Sequence, residues 1–120
     1  MQNYRDLLVW KKGIELAQSV YQAAKRLPKE ELYGLSDQMR RAAVSIPSNI
    51  AEGCARGSDR EFARFLSIAQ GSIAELETQI ILCRNFNFFD EETEKKLLFL
   101  TEEESKMLRA LLLKLKASSY

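Results

Sequence analysis

The chain has 120 residues, 46% of them apolar and 29% charged, which suits one domain with a core of its own and no need of disulfide or metal staples. Its 18 Lys and Arg against 17 Asp and Glu leave a net charge of +1, which argues against a protein whose main work is coating nucleic acid by charge excess. The absence of histidine excludes His-based triads, imidazole acid/base chemistry, His-dependent zinc motifs and the Glu-x-x-His motif of di-iron bundles.

Helical periodicity runs through nearly the whole chain and strand signals are missing. The first helix is expected over residues 4–26, with Trp10, Ile14, Ala17, Tyr21 and Ala24 as a 4-3-4-3 seam and Val9, Leu16, Val20 and Leu27 as a second stripe about 100° away. Half of that helix is therefore apolar, more than one bundle seam needs, which favours association with another chain. Pro28 ends it, and Ser36 is the expected N-cap of a second helix over 36–55, whose core stripe is Leu35, Met39, Ala42, Ile46, Asn49/Ile50 and Gly53. Gly57 breaks the chain, and Ser58-Asp59-Arg60-Glu61 reads as a capping box opening a third helix over 59–85. That helix carries the heptad set Phe62, Leu66, Ala69, Ile73, Leu76, Ile80 and Cys83. Gly71, in its middle, costs about 1 kcal/mol relative to alanine and predicts a close approach by another helix. After the turn at 85–89, Asp90 caps a fourth helix over 90–116, acidic at its start, basic at its end, with Leu108, Leu111, Leu112 and Leu115 in its core. Short connectors make the four helices an all-α, antiparallel up-down-up-down four-helix bundle in one domain, 1–120.

Cys54 and Cys83 are expected as reduced, partly buried thiols of a cytoplasmic protein. The run Leu7-Leu8-Val9-Trp10 is closed at once by Lys11-Lys12, so it reads neither as a signal peptide nor as a membrane span. No phosphate loop, dinucleotide fingerprint or metal-ligand spacing is present, so no cofactor and no metal are expected.

The chemistry-bearing anomalies lie in helix two. Pro47 predicts a kink, because it removes a helical hydrogen bond. Asn49 falls on the core stripe and needs partners, since an unpaired buried amide costs roughly 1–3 kcal/mol. Ser45 and Glu52 share its neighbourhood, and Ser67, Ser72 and Glu75 of helix three are candidate partners. Such a network either fixes helix register or lines a small-ligand pocket beside Pro47. Arg40, Arg41, Arg56, Arg60 and Arg64 either pair internally with Glu52, Glu61 and Glu75 or form a phosphate-binding patch. The first 29 residues hold six Lys/Arg against two Asp/Glu, and Lys11 and Lys12 join the arginines as candidates.

The strings Tyr33-Gly34-Leu35-Ser36-Asp37-Gln38-Met39-Arg40-Arg41-Ala42-Ala43-Val44-Ser45-Ile46-Pro47-Ser48-Asn49-Ile50-Ala51-Glu52-Gly53 and Glu61-Phe62-Ala63-Arg64-Phe65-Leu66-Ser67-Ile68-Ala69-Gln70-Gly71-Ser72 resemble the four-helix-bundle family of proteins encoded in intervening sequences of bacterial 23S ribosomal RNA genes. Tyr4-Arg5-Asp6-Leu7-Leu8-Val9-Trp10 and Glu75-Leu76-Glu77-Thr78 fit the same pattern, so the resemblance runs from Tyr4 to about Leu82, with helix four agreeing in type. That family is similar in fold to the accessory variability determinant of diversity-generating retroelements, a basic homopentameric barrel that binds nucleic acid and a reverse transcriptase. The resemblance implies a homopentamer here. This chain departs from that relative in being nearly neutral, and no functional residue set carries over.

The resulting expectation is a non-enzymatic homo-oligomer, an accessory or scaffold linked to ribosomal RNA or other nucleic acid, with Lys11, Lys12, Arg40, Arg41, Arg56, Arg60 and Arg64 as phosphate contacts. Ser45, Asn49, Glu52, Ser72 and Glu75 form its structural polar network. The alternative is a protein-interaction adaptor with an apolar groove and no nucleic-acid role. A third reading, a small-molecule binder or carboxylate enzyme around Asn49 and Glu52, requires a polar pocket beside Pro47.

Overall fold

Each run of helical periodicity ends at a local stop, and those stops define the architecture. The computed structural model describes residues 3–118, with α1 Leu8–Ala24, α2 Leu35–Ala55, α3 Asp59–Asn85 and α4 Glu91–Ser118. Leu7 is extended (φ −75°, ψ 125°), so the first α-helix starts at Leu8 and not at Tyr4, and a 3-10 turn, Tyr4–Asp6, precedes it. Tyr4 folds edge-on against Trp10, ring centroids 5.2 Å apart.

The start of α2 differs from the expected cap. Gly34 occupies the N-cap position, and the Leu35 N–H donates to Glu31 Oε1 at 3.1 Å. Ser36 lies buried inside the first turn, where its hydroxyl accepts from Arg40 at 2.6 Å. A longer carboxylate reaching forward from the connector does the work assigned to serine.

Gly57 reverses the chain between α2 and α3 at φ 82°, a conformation that favours glycine. Ser58 Oγ then accepts the Glu61 N–H at 3.2 Å. The Glu61 carboxylate turns to Arg64 (2.9 and 3.3 Å). Between α3 and α4, Asn87 takes the left-handed position (φ 65°), with Phe88 N–H donating to Cys83 O at 2.8 Å and Asn87 N–H to Arg84 O at 3.1 Å. That pair of bonds is the Schellman stop, here with asparagine in glycine's usual place. Asp90 Oδ1 accepts from Thr93 N–H at 2.8 Å and opens α4; the Thr93 hydroxyl first, and then this N–H, hold the Asp90 carboxyl below its ordinary pKa.

Among the described residues, each helix packs on two neighbours: α1 on α2 and α4, α3 on α2 and α4. The α2–α3 contact is the most extensive and α1–α4 the least. This is an all-α, up-down-up-down four-helix bundle 48 Å long. All seven heptad positions of α3 are buried. The stripe Val9, Leu16 and Val20 of α1, with Leu27 just beyond its end, faces the core. Of the expected seam, Ala17 and Ala24 are buried with the core, while Trp10, Ile14 and Tyr21 lie at the edge, with Tyr21 45% exposed.

Two glycines behave oppositely. A Cβ at Gly53 would lie 2.6 Å from Phe65 Cβ and 3.2 Å from Phe62 Cδ1, so α2 and α3 touch there. Around Gly71 nothing lies within 4 Å of such a Cβ, which corrects the expectation that it admits a neighbouring helix of the bundle.

Candidate functional site

α2 continues through Pro47, whose ring is buried facing α1; a Cβ at Gly13 would lie 3.4 Å from Pro47 Cβ. Two residues on, Asn49 Nδ2 donates to Ser45 O (2.7 Å) and Ser45 Oγ (2.9 Å). The Ser45 and Ser72 hydroxyls meet at 2.6 Å across α2 and α3, and Ser72 Oγ also reaches Ile68 O at 3.3 Å. The structure thus brings Ser45, Asn49 and Ser72 together. The bridge between helices is made by the serines, while Asn49 bonds back along its own helix. Glu52 lies outside this cluster on exposed surface, bonded to Arg56 at 2.8 Å, and Glu75 is exposed.

The candidate cations fall into separate groups. Arg41 bonds Asp37 at 3.0 Å and stays 80% exposed. Arg40 reaches Ser36, Leu32 O at 3.3 Å and Asp37 at 3.8 Å. Sixteen residues along the same helix, about 24 Å at 1.5 Å per residue, sits Arg56. Arg56 pairs with Glu52, Arg64 pairs with Glu61 (2.9 Å), and Arg60 is exposed. The Arg–carboxylate pairs join residues three or four apart on one helix. Such pairs are screened by solvent, add little to stability and do not withdraw the guanidinium groups from solvent. Lys11 is exposed on α1, and Lys12 bridges Glu15 (3.4 Å) and Glu103 of α4 (3.8 Å).

The α2–α3 corner is the most organised of these groups. Arg56 and Arg64 both lie over the ring of buried Phe65, at 5.1 and 4.6 Å from its centroid. Cation–π contact favours this placement of both guanidinium groups without consuming their N–H donors. Beside them a groove of about 530 Å³ is lined by Arg60, Glu61, Ala63, Arg64, Ser67, Leu112 and Lys116. Lys116 was not among the expected cations; the basic end of the fourth helix and the antiparallel order together put it beside the start of α3. Arg64 holds the Glu61 carboxyl below its ordinary pKa by a direct hydrogen bond.

A second surface is apolar. Tyr21 and Val44 are exposed on α1 and α2, and shallow clefts of about 340 and 320 Å³ share Tyr21 and Arg40. Leu32 and the 90% exposed Tyr33 extend it along the connector.

Sequence reasoning missed Glu104. It is 1% exposed, and neither carboxylate oxygen has a hydrogen-bond partner among the described residues. Its Oε2 sits where a Cβ on Gly13 would lie only 2.8 Å away. Burial, aided by the charge of Glu103 and opposed by Lys12, pushes its pKa up to about 8. The signal was the α4 seam of Leu97, Thr101, Glu104, Leu108, Leu111 and Leu115, a 4-3 register with two polar residues in it. Thr101, also buried, is satisfied by Glu77 Oε2 (2.8 Å) and Leu98 O (2.9 Å).

No group of three or more metal-capable side chains occurs among the described residues, and no described helix is long and apolar enough to cross a membrane. A family model described as 23S rRNA-intervening sequence protein matches residues 5–110. The fold is similar to the crystal structure of a protein of unknown function from the S23 ribosomal protein family of Bacteroides thetaiotaomicron VPI-5482. The TM-score is 0.82 at 24% identity, covering 88% of this chain and 98% of that one. No curated protein matches the chain.

Proposed function

The chain belongs to the 23S rRNA-intervening sequence protein family, and from that premise we propose that it is a non-enzymatic scaffold, assembled from copies of itself, that meets RNA through the α2–α3 corner. The observation that carries this reading is the corner itself, where Arg60, Arg64 and Lys116 line one groove and the guanidinium groups of Arg64 and Arg56 both lie over Phe65. A chain of net charge +1 has no long-range pull on a polyanion, so affinity must come from such a local patch repeated by symmetry. The seam of Trp10, Ile14, Tyr21 and Val44 supports self-association, because it leaves apolar surface uncovered on the face where α1 and α2 meet. A homopentamer in the cytoplasm is the assembly this reading takes. Arg40, Arg41, Lys11 and Lys12 are secondary contacts that a ring would bring to bear along its side.

The test is binding of a labelled structured RNA by the purified wild type and by an Arg60→Glu/Arg64→Glu variant, at low and near-physiological salt, with mass followed by light scattering. Binding that falls steeply with salt, weakened at least about tenfold in the variant at unchanged mass, supports the proposal. No binding even at low salt overturns it, and the exposed Tyr21–Val44–Tyr33 surface then favours an adaptor that docks a protein.

A further inference from the structure

We infer that Glu104 is a proton-held latch on the α1–α4 seam: neutral, it lets α4 close against α1 at Gly13, and ionised, it drives that closure open. The geometry carries this. The carboxyl group is almost wholly enclosed, both oxygens lack partners among the described residues, and glycine at position 13 leaves the space in which Oε2 sits. A neutral acid tolerates such a site at modest cost, whereas an unpaired carboxylate there must recover solvation by exposing itself.

The charged groups facing it from each packed helix do not rescue the ionised form. On α1, Lys12 is drawn to the surface by Glu15 and Glu103. On α4 itself, Glu103 adds a like charge. On α3, Glu77 is another carboxylate, engaged one turn away by Thr101. α2 presents Pro47. The seam is also where the bundle yields most readily. α1–α4 is its least extensive contact, and a groove of about 800 Å³ already runs between these helices from Arg26 and Asp90 to Glu15 and Leu100.

The sign of the pH dependence follows from the direction of the shift. Burial raises the native pKa from 4.5 to about 8, so the native state binds the proton more tightly than the unfolded chain. Stability conferred by the proton is complete below pH 4.5, falls as pH rises, and has gone above about pH 8. The unfolding constant therefore climbs by up to about tenfold per pH unit inside that window.

The experiment compares urea unfolding of wild type and Glu104→Gln from pH 5 to 9, with hydrogen exchange across the chain. The expected result is a wild-type unfolding constant that rises about a hundredfold or more relative to Glu104→Gln and then levels. Protection factors in α1 and α4, which divide out the base-catalysed intrinsic rate, should fall near the same midpoint in the wild type alone. Parallel pH dependence in the two proteins overturns the inference. Should Glu104→Gln fail to fold, carboxyl-carbon NMR of the wild type decides. One glutamate titrating near pH 8 together with α1 and α4 amides supports the latch, and all glutamates titrating below pH 6 refutes it.

Discussion

Replacing Gly53 with alanine sets two known effects against each other on one helix. Alanine in a helix interior is favoured over glycine by about 0.8–1.0 kcal/mol. Against this, the new methyl would sit 2.6 Å from Phe65 Cβ, 3.2 Å from Phe62 Cδ1 and 3.3 Å from Phe62 O. A Cβ and a carbonyl oxygen cannot swing aside as the end of a lysine could, so α2 and α3 must separate along their most extensive contact. Overpacking typically costs about 1–3 kcal/mol, and a clash with near-backbone atoms belongs at the top of that range. Taking ~3 kcal/mol of strain and ~1 kcal/mol of recovered propensity leaves a net loss of about 2 kcal/mol. At this length the unfolding entropy converts 1 kcal/mol to about 4 °C, so thermal unfolding by circular dichroism should show a fall of about 8 °C. An unchanged or higher midpoint would mean that the helices part without penalty and that glycine is not required for their approach.

The same substitution at Gly71 has nothing within 4 Å to displace and should stabilise by about 1 kcal/mol in urea unfolding; a loss instead would place a second chain on that face of α3. Ser58→Ala removes the acceptor of the Glu61 N–H and should cost about 1 kcal/mol, while Ser58→Asp should restore most of it. Cys83 is buried beside Met39 (Sγ to Sδ 3.5 Å), and burial pushes its pKa up to about 12, so iodoacetamide at pH 8 should leave it unmodified by mass spectrometry until urea is added.

The fold was legible because its signals are local and redundant. Gly57, Ser58 and Asp90 announce their turns whatever lies across the bundle, and the α3 heptads admit one inward face. Helix one was harder, since two apolar stripes compete and only tertiary packing decides that Val9, Leu16 and Val20 go in while Trp10, Ile14 and Tyr21 stay at the edge. Ser36 misled because Glu31, five residues earlier, supplies the acceptor through a bend that no short motif encodes. The candidate site was legible as residue types and not as a place. Arg60 and Arg64 meet Lys116 because antiparallel order joins the start of α3 to the end of α4, and the turn at Gly57 brings Arg56 over Phe65. Glu104 was invisible because a glutamate in a charged helix reads as solvated surface, and only its register with Leu97 and Leu108, together with the space at Gly13, shows otherwise.

The uneven packing of the four seams also bears on how the chain acquires its shape. α2 and α3 are joined by the single turn at Gly57, capped by Ser58, and make the broadest contact, so their hairpin closes a short loop for a large return. Pairing α1 with α4 brings together distant parts of the chain for the smallest return. The order of events should follow, with the central hairpin formed in the transition state and the outer helices docking late. Gly53→Ala should then slow refolding, whereas Leu97→Ala should act mainly by quickening unfolding, a partition that stopped-flow chevrons would read directly.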